Sequence, residues 1–458
     1  MITSISVKNF KSWKDTGKIR LAPITGLFGS NSSGKTSLLQ LLLMLKQTAE
    51  SSDRAQVLNL GDDRSLVELG TFKDIVLDHK SEAGLTWMLA WNLKDKLKIV
   101  DPEHRNRILF EGDSLQFQAV IEENGTGRMV VKELSYDFAE HRFGMRQKQE
   151  KSKYALFPSA NDASFRFLRI KGRPWELPAP VKCYGFPDQV KAYYQNAGFL
   201  ADFQLAFEEL FTSVYYLGPL RDYPKRQYTW AGAQPGDMGR KGEKVVDALL
   251  ASRERKELIS RGPGRRRFTV EEYVVWWLRE LKLIHSFKVE PIKEGGNLYQ
   301  VKVRKTQGSA EVLITDVGFG VSQILPVLTI CYYVPEGSTI LMEQPEIHLH
   351  PSAQAGLADV LIDAAQKRGV QIILESHSEY LLKRLQRRIA EEKIASKDAA
   401  LYFCDMHDGV SELTPLALNL FGDIENWPEG FFGDEFEEMA AMTKARMQRE
   451  SRGEKSAS

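Results

Sequence analysis

The chain has 458 residues, with 62 Lys and Arg against 61 Asp and Glu, a formal net charge of +1. Hydrophobic residues make up 43% and charged residues 27%, which excludes a wholly disordered chain and a disulfide scaffold. The neutral total also excludes attachment to nucleic acid by net charge alone, although basic and acidic faces can cancel within it.

Cys183, Cys331 and Cys404 are odd in number, far apart and form no C-x-x-C pair, so reduced thiols in a cytoplasmic protein are expected. Lys8 and Lys11 stand where a signal peptide needs an apolar core. The longest apolar runs, around Leu38–Leu45 and Ile324–Val334, are too short to span a bilayer. No membrane partner is expected.

In chain order, the first strong signal is the apolar run Ile24–Phe28, read as a strand, followed by Gly29-Ser-Asn-Ser-Ser-Gly34-Lys35-Thr36 and the helical pattern SLLQLLLMLK. This is G-x-x-x-x-G-K-T between a strand and a helix, the context a phosphate loop requires. The backbone of such a loop turns successive N–H groups toward an anion at the helix N-terminus. Asn31, Ser32, Ser33, Gly34, Lys35, Thr36 and Ser37 are the candidate nucleotide contacts. Lys35 would reach the β- and γ-phosphates and the Thr36 hydroxyl would ligate Mg²⁺.

Residues 81–310 are read as a large α+β insertion. Alternation in Leu85–Leu93, Leu115–Val120 and Met129–Tyr136 predicts strands that extend an antiparallel sheet of the first lobe. The charged stretch His141–Lys153 is expected to be a mobile loop. Asp188–Phe211 is read as a helix with Phe199, Phe203, Phe207 and Leu210 on one face, a core or dimer stripe. Residues 216–239 mix Arg221, Lys225 and Arg226 with Tyr223, Tyr228 and Trp230. That mixture suits nucleic acid, a brace for the nucleotide site, or a packed loop. From Arg253 to Arg267, seven Lys and Arg face Glu254 and Glu257. This loop can contact phosphates without reading sequence, or stay solvated, or meet an acidic protein.

The last third returns to nucleotide chemistry. Asp316–Gln323 is Gly-rich, with Gly318 and Gly320 allowing close backbone approach and Ser322 opening a helix whose N-terminus favours an anion. Ser338–Met342 reads as a buried strand ending in Glu343-Gln344-Pro345-Glu346, and Glu343 is the candidate for the Mg²⁺ shell. It lies roughly 300 residues beyond Lys35, more chain than a compact domain needs, so an insertion must split the fold. Helix Ser352–Gln366, strand Val370–Leu374 and then Glu375-Ser376-His377-Ser378 follow. A His at that strand end can sense a γ-phosphate. His348 and His350 are read as structural, not as a metal site. From Cys404 to Glu438 there are ten Asp and Glu and no Lys or Arg, around the apolar block NLFGDIENWPEGFFGDEF.

With these motifs in order, the chain resembles the ABC-type ATPases of the structural-maintenance-of-chromosomes, RecF and overcoming-lysogenization-defect group. The likeness covers roughly residues 1–80 and 310–405, through SISVKNFKSW, GSNSSGKTSLL, DVGFGVSQILPVL, ILMEQPEIHLHPSAQ and IILESHSEYLL. It implies an α/β fold, an ABC-type P-loop NTPase head with a mixed sheet and helices. The segments are then 1–80 and 311–405 for the two halves of the head, 81–310 for the insertion and 406–458 for an acidic, aromatic tail domain. The tail wording NWPEGFFGD is similar to a bacterial branch associated with anti-phage defence. The resemblance further implies ATP and Mg²⁺ as ligands, Asp316–Gln323 as the signature loop and His377 as the switch histidine. It also implies a homodimer or higher homo-oligomer with ATP clamped at the interface. These ATPases usually place a general base directly after the metal-shell acid; here that position is Gln344, an amide that orients water but takes no proton at neutral pH. Slow hydrolysis is therefore expected, with Glu346 and Glu375 as substitute bases. Few residues follow His377, so no appended nuclease domain is expected.

Three functional readings stay open. One is a nucleotide-dependent switch in prokaryotic immunity that acts on a separate effector protein. The second is a RecF-like DNA-binding ATPase that uses the Arg253–Arg267 loop. The third is an ATP-stabilised scaffold with little turnover.

Overall fold

The computed structural model describes residues 1–101, 107–150, 153–157, 165–173, 176–260, 262, 264, 266–428, 442–445 and 447. The chain opens with β1 (Ile2–Phe10), β2 (Trp13–Asp15), β3 (Ile19–Arg20) and β4 (Ile24–Gly29), then α1 (Lys35–Glu50) and α2 (Phe72–Ile75). Next come β5 (Leu85–Val100), β6 (Ile108–Glu123), β7 (Met129–Phe138), β8 (His141–Gln147) and β9 (Tyr154–Phe157), followed by α3 (Gln189–Tyr193), α4 (Leu200–Thr212), β10 (Val214–Leu217) and β11 (Tyr228–Thr229). The elements α5 (Val245–Glu254), β12 (Leu258–Ile259), β13 (Phe268–Thr269), α6 (Val270–Glu280), β14 (Ser286–Pro291), β15 (Leu298–Arg304) and β16 (Glu311–Leu313) lead to the last third. That third holds α7 (Phe319–Tyr333), β17 (Thr339–Glu343), α8 (Pro351–Arg368), β18 (Gln371–Glu375), α9 (Glu379–Ala390), β19 (Ala399–His407) and β20 (Val410–Pro415). No described helix is long and apolar enough to cross a membrane.

Two sheets organise these elements. The first is antiparallel, in the order β2-β1-β5-β6-β7-β8-β9, with β3 also on β1. β1 pairs β5 directly, so residue 80 falls between two strands of one sheet. The second sheet has the order β10-β17-β18-β4-β19-β20, parallel except at the β19–β20 edge. Its central strands β4, β17 and β18 are buried along their whole length. Their near-continuous apolar sequences suit parallel strands covered on both faces. β4 therefore sits between two strands supplied by the far end of the chain, and β10 joins the edge beside β17. α1 is buried on most of its circumference through Leu38, Leu39 and Leu41–Leu45, which is why its sequence reads as apolar nearly all round.

The structure departs from the sequence reading in the 81–310 stretch. Of the stretch expected to be a mobile loop, His141–Gln147 form β8, while Lys151 and Ser152 lie outside the described residues. Phe143 and Met145 point inward and are fully buried, while Arg142 reaches Asp137 at 2.5 Å and Arg146 reaches Glu133 at 2.5 Å on the neighbouring β7. The high charge that suggested a loop is the paired, solvent-facing half of a strand. The single helix expected over 188–211 is two, α3 and α4. Between them the Asn196 side chain donates to the Arg166 carbonyl and accepts from the Leu168 N–H, both at 2.8 Å, tying the break to residues 166–168. Phe203 and Phe207 are core residues, packed against Tyr136 and Phe117.

Candidate functional site

The phosphate loop leaves β4 at Gly29, whose φ is +137° and whose place a Cβ would contest with the Cys404 carbonyl oxygen 1.9 Å away. Gly34, at φ +88°, starts α1 without a side-chain cap. A Cβ there would fall 2.4 Å from Ser411 Oγ, and the Trp13 indole N–H donates to the Gly34 carbonyl at 3.0 Å. Asn31 and Ser32 are exposed at the crest, while Ser33 is buried and donates to the Ser30 carbonyl at 2.9 Å. Lys35 is buried, and its ammonium donates to the carbonyls of Gly29 (3.1 Å) and Ser30 and to Ser33 Oγ (3.2 Å). Burial lowers its pKa, with the Glu375 charge opposing that. Ser37 N–H donates to the Gly34 carbonyl at 3.1 Å, closing the first turn of α1. An uncapped helix N-terminus, a wrapped loop and a buried ammonium make a fit for a phosphate chain.

Acidic groups collect at the carboxyl ends of the neighbouring parallel strands, the usual place for a ligand in such sheets. Glu343 on β17 is in register with Glu375 on β18, which is in register with Leu27 on β4. The Thr36 hydroxyl donates to Glu375 Oε2 at 2.6 Å, so it is Glu375, not Glu343, that directly holds the candidate metal-binding hydroxyl. Glu343 is 6% exposed and its Oε1 accepts from the Tyr216 hydroxyl at 2.7 Å. Burial pushes its carboxyl up to about 7, further raised by Glu375 and lowered by the Tyr216 bond and Arg221. Thr36, Glu343 and Glu375 are hard oxygen donors, the chemistry Mg²⁺ prefers.

Gln344 has φ +44°, held by its N–H to the Glu375 carbonyl (2.9 Å) and by the Ile347 N–H to its own carbonyl (3.2 Å). A left-handed glutamine is a strained position that two flanking bonds maintain. His377 is half-buried. Burial lowers its pKa, Lys35 adds to that, and a bond to the Gly29 backbone opposes it, so the residue abuts the phosphate loop. Glu346 accepts from Ser376 Oγ and from the His377 N–H, both at 2.8 Å.

The Gly-rich loop precedes α7. Gly318 is the exposed N-cap of α7, and Gly320 lies beside the His348 carbonyl. The helix begins at Phe319, three residues before the expected start. Ser322 sits within its first turn, buried, with its hydroxyl donating to the Phe319 carbonyl at 2.8 Å. The segment after β10 ties both parts together. Arg221 donates to the Glu343 carbonyl (3.2 Å), Arg226 pairs with Asp316 (2.9 Å), and Tyr223 packs on Phe319, which in turn meets His348. Of the three readings of 216–239, the contacts favour a brace. Tyr216 escaped the sequence reading altogether. The signal that could have found it is Tyr216-Leu-Gly-Pro-Leu-Arg221 at the end of a strand.

In the basic stretch, Arg253 pairs with Glu271, Arg255 with Glu257 and Arg266 with Glu272. Arg261 and Arg265 lie outside the described residues, as do Phe431 and Phe432 of the aromatic tail. No group of three or more His, Cys, Asp and Glu placed to hold a metal ion occurs among the described residues. The three cysteines are free and buried.

Strand order, phosphate loop and paired carboxylates define a P-loop nucleotide-binding head, assembled from both ends of the sequence. Residues 1–169 match the family described as "AAA ATPase domain", and residues 218–383 the one described as "AAA domain, putative AbiEii toxin, Type IV TA system". Together these two matches support an ATPase. Residues 394–442 match a "Protein of unknown function (DUF3696)" family. No curated protein matches the chain. Among solved structures, an Smc head bound to the C-winged helix domain of ScpA is similar at 11% identity and TM-score 0.45, over 91% of this chain and 98% of that one. The SMC head domain from Thermotoga maritima gives 11% and 0.41 over 91% and 99%. The Smc head with extended coiled coil from Pyrococcus furiosus, bound to the C-terminal domain of ScpA, gives 10% and 0.44 over 97% and 99%.

Proposed function

We propose that the protein is an ATP-binding, dimerising switch with slow hydrolysis, acting through a separate effector in prokaryotic anti-phage defence. One observation carries the nucleotide part: Lys35 and Thr36 of the phosphate loop and the acids Glu343 and Glu375 converge at the ends of three adjacent strands. When bound there, Mg²⁺ would neutralise phosphate charge, with Thr36, Glu343 and Glu375 as its protein neighbours. Lys35 would exchange its carbonyl partners for phosphate oxygens. Gln344 would orient water without taking its proton, which makes turnover slow.

Dimerisation is supported by the exposure of the Gly318–Phe319 end of α7. Gly318 and Phe319 are exposed and the start of α7 has no side-chain cap, a helix N-terminus suited to a phosphate bound by a second copy. Defence rests on the tail resemblance and on the toxin–antitoxin wording of one matched family. The DNA reading draws less support, because Arg253, Arg255 and Arg266 are already paired with acids.

Mass photometry with and without ATP tests the switch. The wild type is expected to shift to dimer with ATP, and Lys35→Ala to stay monomeric with at least ~30-fold weaker nucleotide binding, from the loss of charge-assisted phosphate contacts. Dimerisation that ignores both ATP and Lys35 would leave the scaffold reading. Gln344→Glu is expected to speed single-turnover hydrolysis by roughly 10-fold or more; an unchanged rate refutes the idea that this amide limits the chemistry.

A further inference from the structure

Glu346 is anchored differently from the two carboxylates at the strand ends. It is 6% exposed, and its Oε1 takes both bonds from Ser376 and His377. Its Oε2 is fully buried and has no hydrogen-bond partner. Leaving a buried acceptor unmade costs about 1–3 kcal/mol, so such an atom needs a reason to be kept. Glu343 already accepts from Tyr216, and Glu375 from Thr36 on the metal side of the site. The anchor of Glu346 is the backbone of His377, the residue that abuts Gly29 in the phosphate loop.

A second buried group with unmade bonds lies within electrostatic reach of Glu346. Arg221 is 7% exposed and within the field of Glu343 and Glu346. One nitrogen donates to the Glu343 carbonyl, but Nε and Nη1 are fully buried and donate to nothing. Burial lowers this guanidinium to about 10, still charged at neutral pH. Two unmade donors of Arg221 and one unmade acceptor of Glu346, within electrostatic reach of each other, are read as one polar socket. A water molecule is both donor and acceptor and matches it.

We propose that Glu346, with Arg221 beside it, is the proton acceptor for the water that attacks ATP, supplying what Gln344 lacks; this rests on the ATPase reading above. The water oxygen bonds to the γ-phosphorus while the bond from that phosphorus to the bridging oxygen of ADP breaks. The water proton passes to Glu346 Oε2 and is then released to the phosphate product. Arg221 orients the water and offsets the carboxylate charge. Because burial raises the Glu346 carboxyl above the usual carboxylate range, its proton affinity is better matched to this work.

Glu346→Gln separates a chemical role from a structural one. The amide oxygen can still accept from Ser376 and His377, while the other position becomes an NH₂ that takes no proton. Single-turnover hydrolysis and binding of a fluorescent ATP analogue would be measured on the full chain for the wild type, Glu346→Gln, Gln344→Glu and the double variant. The expected result is hydrolysis slowed roughly 100-fold in Glu346→Gln at unchanged nucleotide affinity. In the double variant the base has been moved two positions, and hydrolysis returns to at least the wild-type rate. An unchanged rate in Glu346→Gln overturns the proposal, and so does a loss that Gln344→Glu fails to restore, since that marks a structural role through His377. If Glu346→Gln does not fold, Arg221→Met reads the same socket: turnover about 10-fold slower at unchanged affinity supports it, and unchanged turnover overturns it. A wild type that binds and hydrolyses no ATP would instead overturn the ATPase reading itself.

Discussion

The phosphate loop and the acidic end of β17 serve one candidate site but are assembled in opposite ways. The loop is local: Gly29 to Thr36 are consecutive, and the bonds of Lys35 stay within the loop. The acidic end is gathered from Tyr216, Arg221, Glu343, Glu346, Glu375 and Ser376, with hydrogen bonds among them that span up to 127 positions and one to Thr36 that spans 339. A local motif can be built by backbone conformation alone. A gathered one depends on strand order, and its polar groups stay balanced only while every contributor is in place.

Three changes would break or sharpen this contrast. The largest effect is expected from Gly29→Ala on the local side, since its φ of +137° and the Cys404 carbonyl leave no room for a methyl group. A loss of about 3 kcal/mol or more follows from strain and overpacking together, read as a lowered midpoint in urea. A loss below ~1 kcal/mol would mean that the loop adapts and is not set by its backbone. Next, Tyr216→Phe removes one contributor on the gathered side. Loss of its bond to Glu343 is expected to cost about 2 kcal/mol of stability at pH 8, with near-normal binding of a fluorescent ATP analogue. A variant as stable as the wild type would show that the gathered side is looser than its contacts suggest.

The smallest effect concerns His377, which links the two sides. Its pKa is lowered in the folded protein by burial and then by Lys35. The unfolded chain therefore takes up its proton first as pH falls below 6.5, and the wild type loses stability across that window. His377→Gln should flatten this acid limb slightly in melting curves between pH 7 and 5. An unaltered slope would assign the limb to other groups.

The same contrast explains what the sequence could convey. G-x-x-x-x-G-K-T, the buried strand before Glu343 and the strand before His377 were legible because each couples a periodic apolar run to a fixed polar ending. β10 was read only as a strand end, and its place beside β17 was not legible, because a four-residue strand carries no mark of its neighbour. Tyr216 therefore went unnoticed, and Arg221 was grouped with Lys225 and Arg226 as one basic surface, although it is buried and they are not. Composition misled once more in β8, where paired arginines looked like solvent-loving loop. The Thr36–Glu375 bond was beyond reach for the same reason as Tyr216: it joins residues 339 positions apart.

The position of β4 has a consequence for biosynthesis. Its partners β18 and β19 leave the ribosome long after it does, and Gln371 on β18 also secures Ile2 from 369 positions away. During synthesis the loop-bearing strand thus waits as an unpaired apolar segment while the antiparallel lobe, with its nearest-neighbour hairpins, is free to form. Nucleotide can have no complete site to occupy until translation has passed β19.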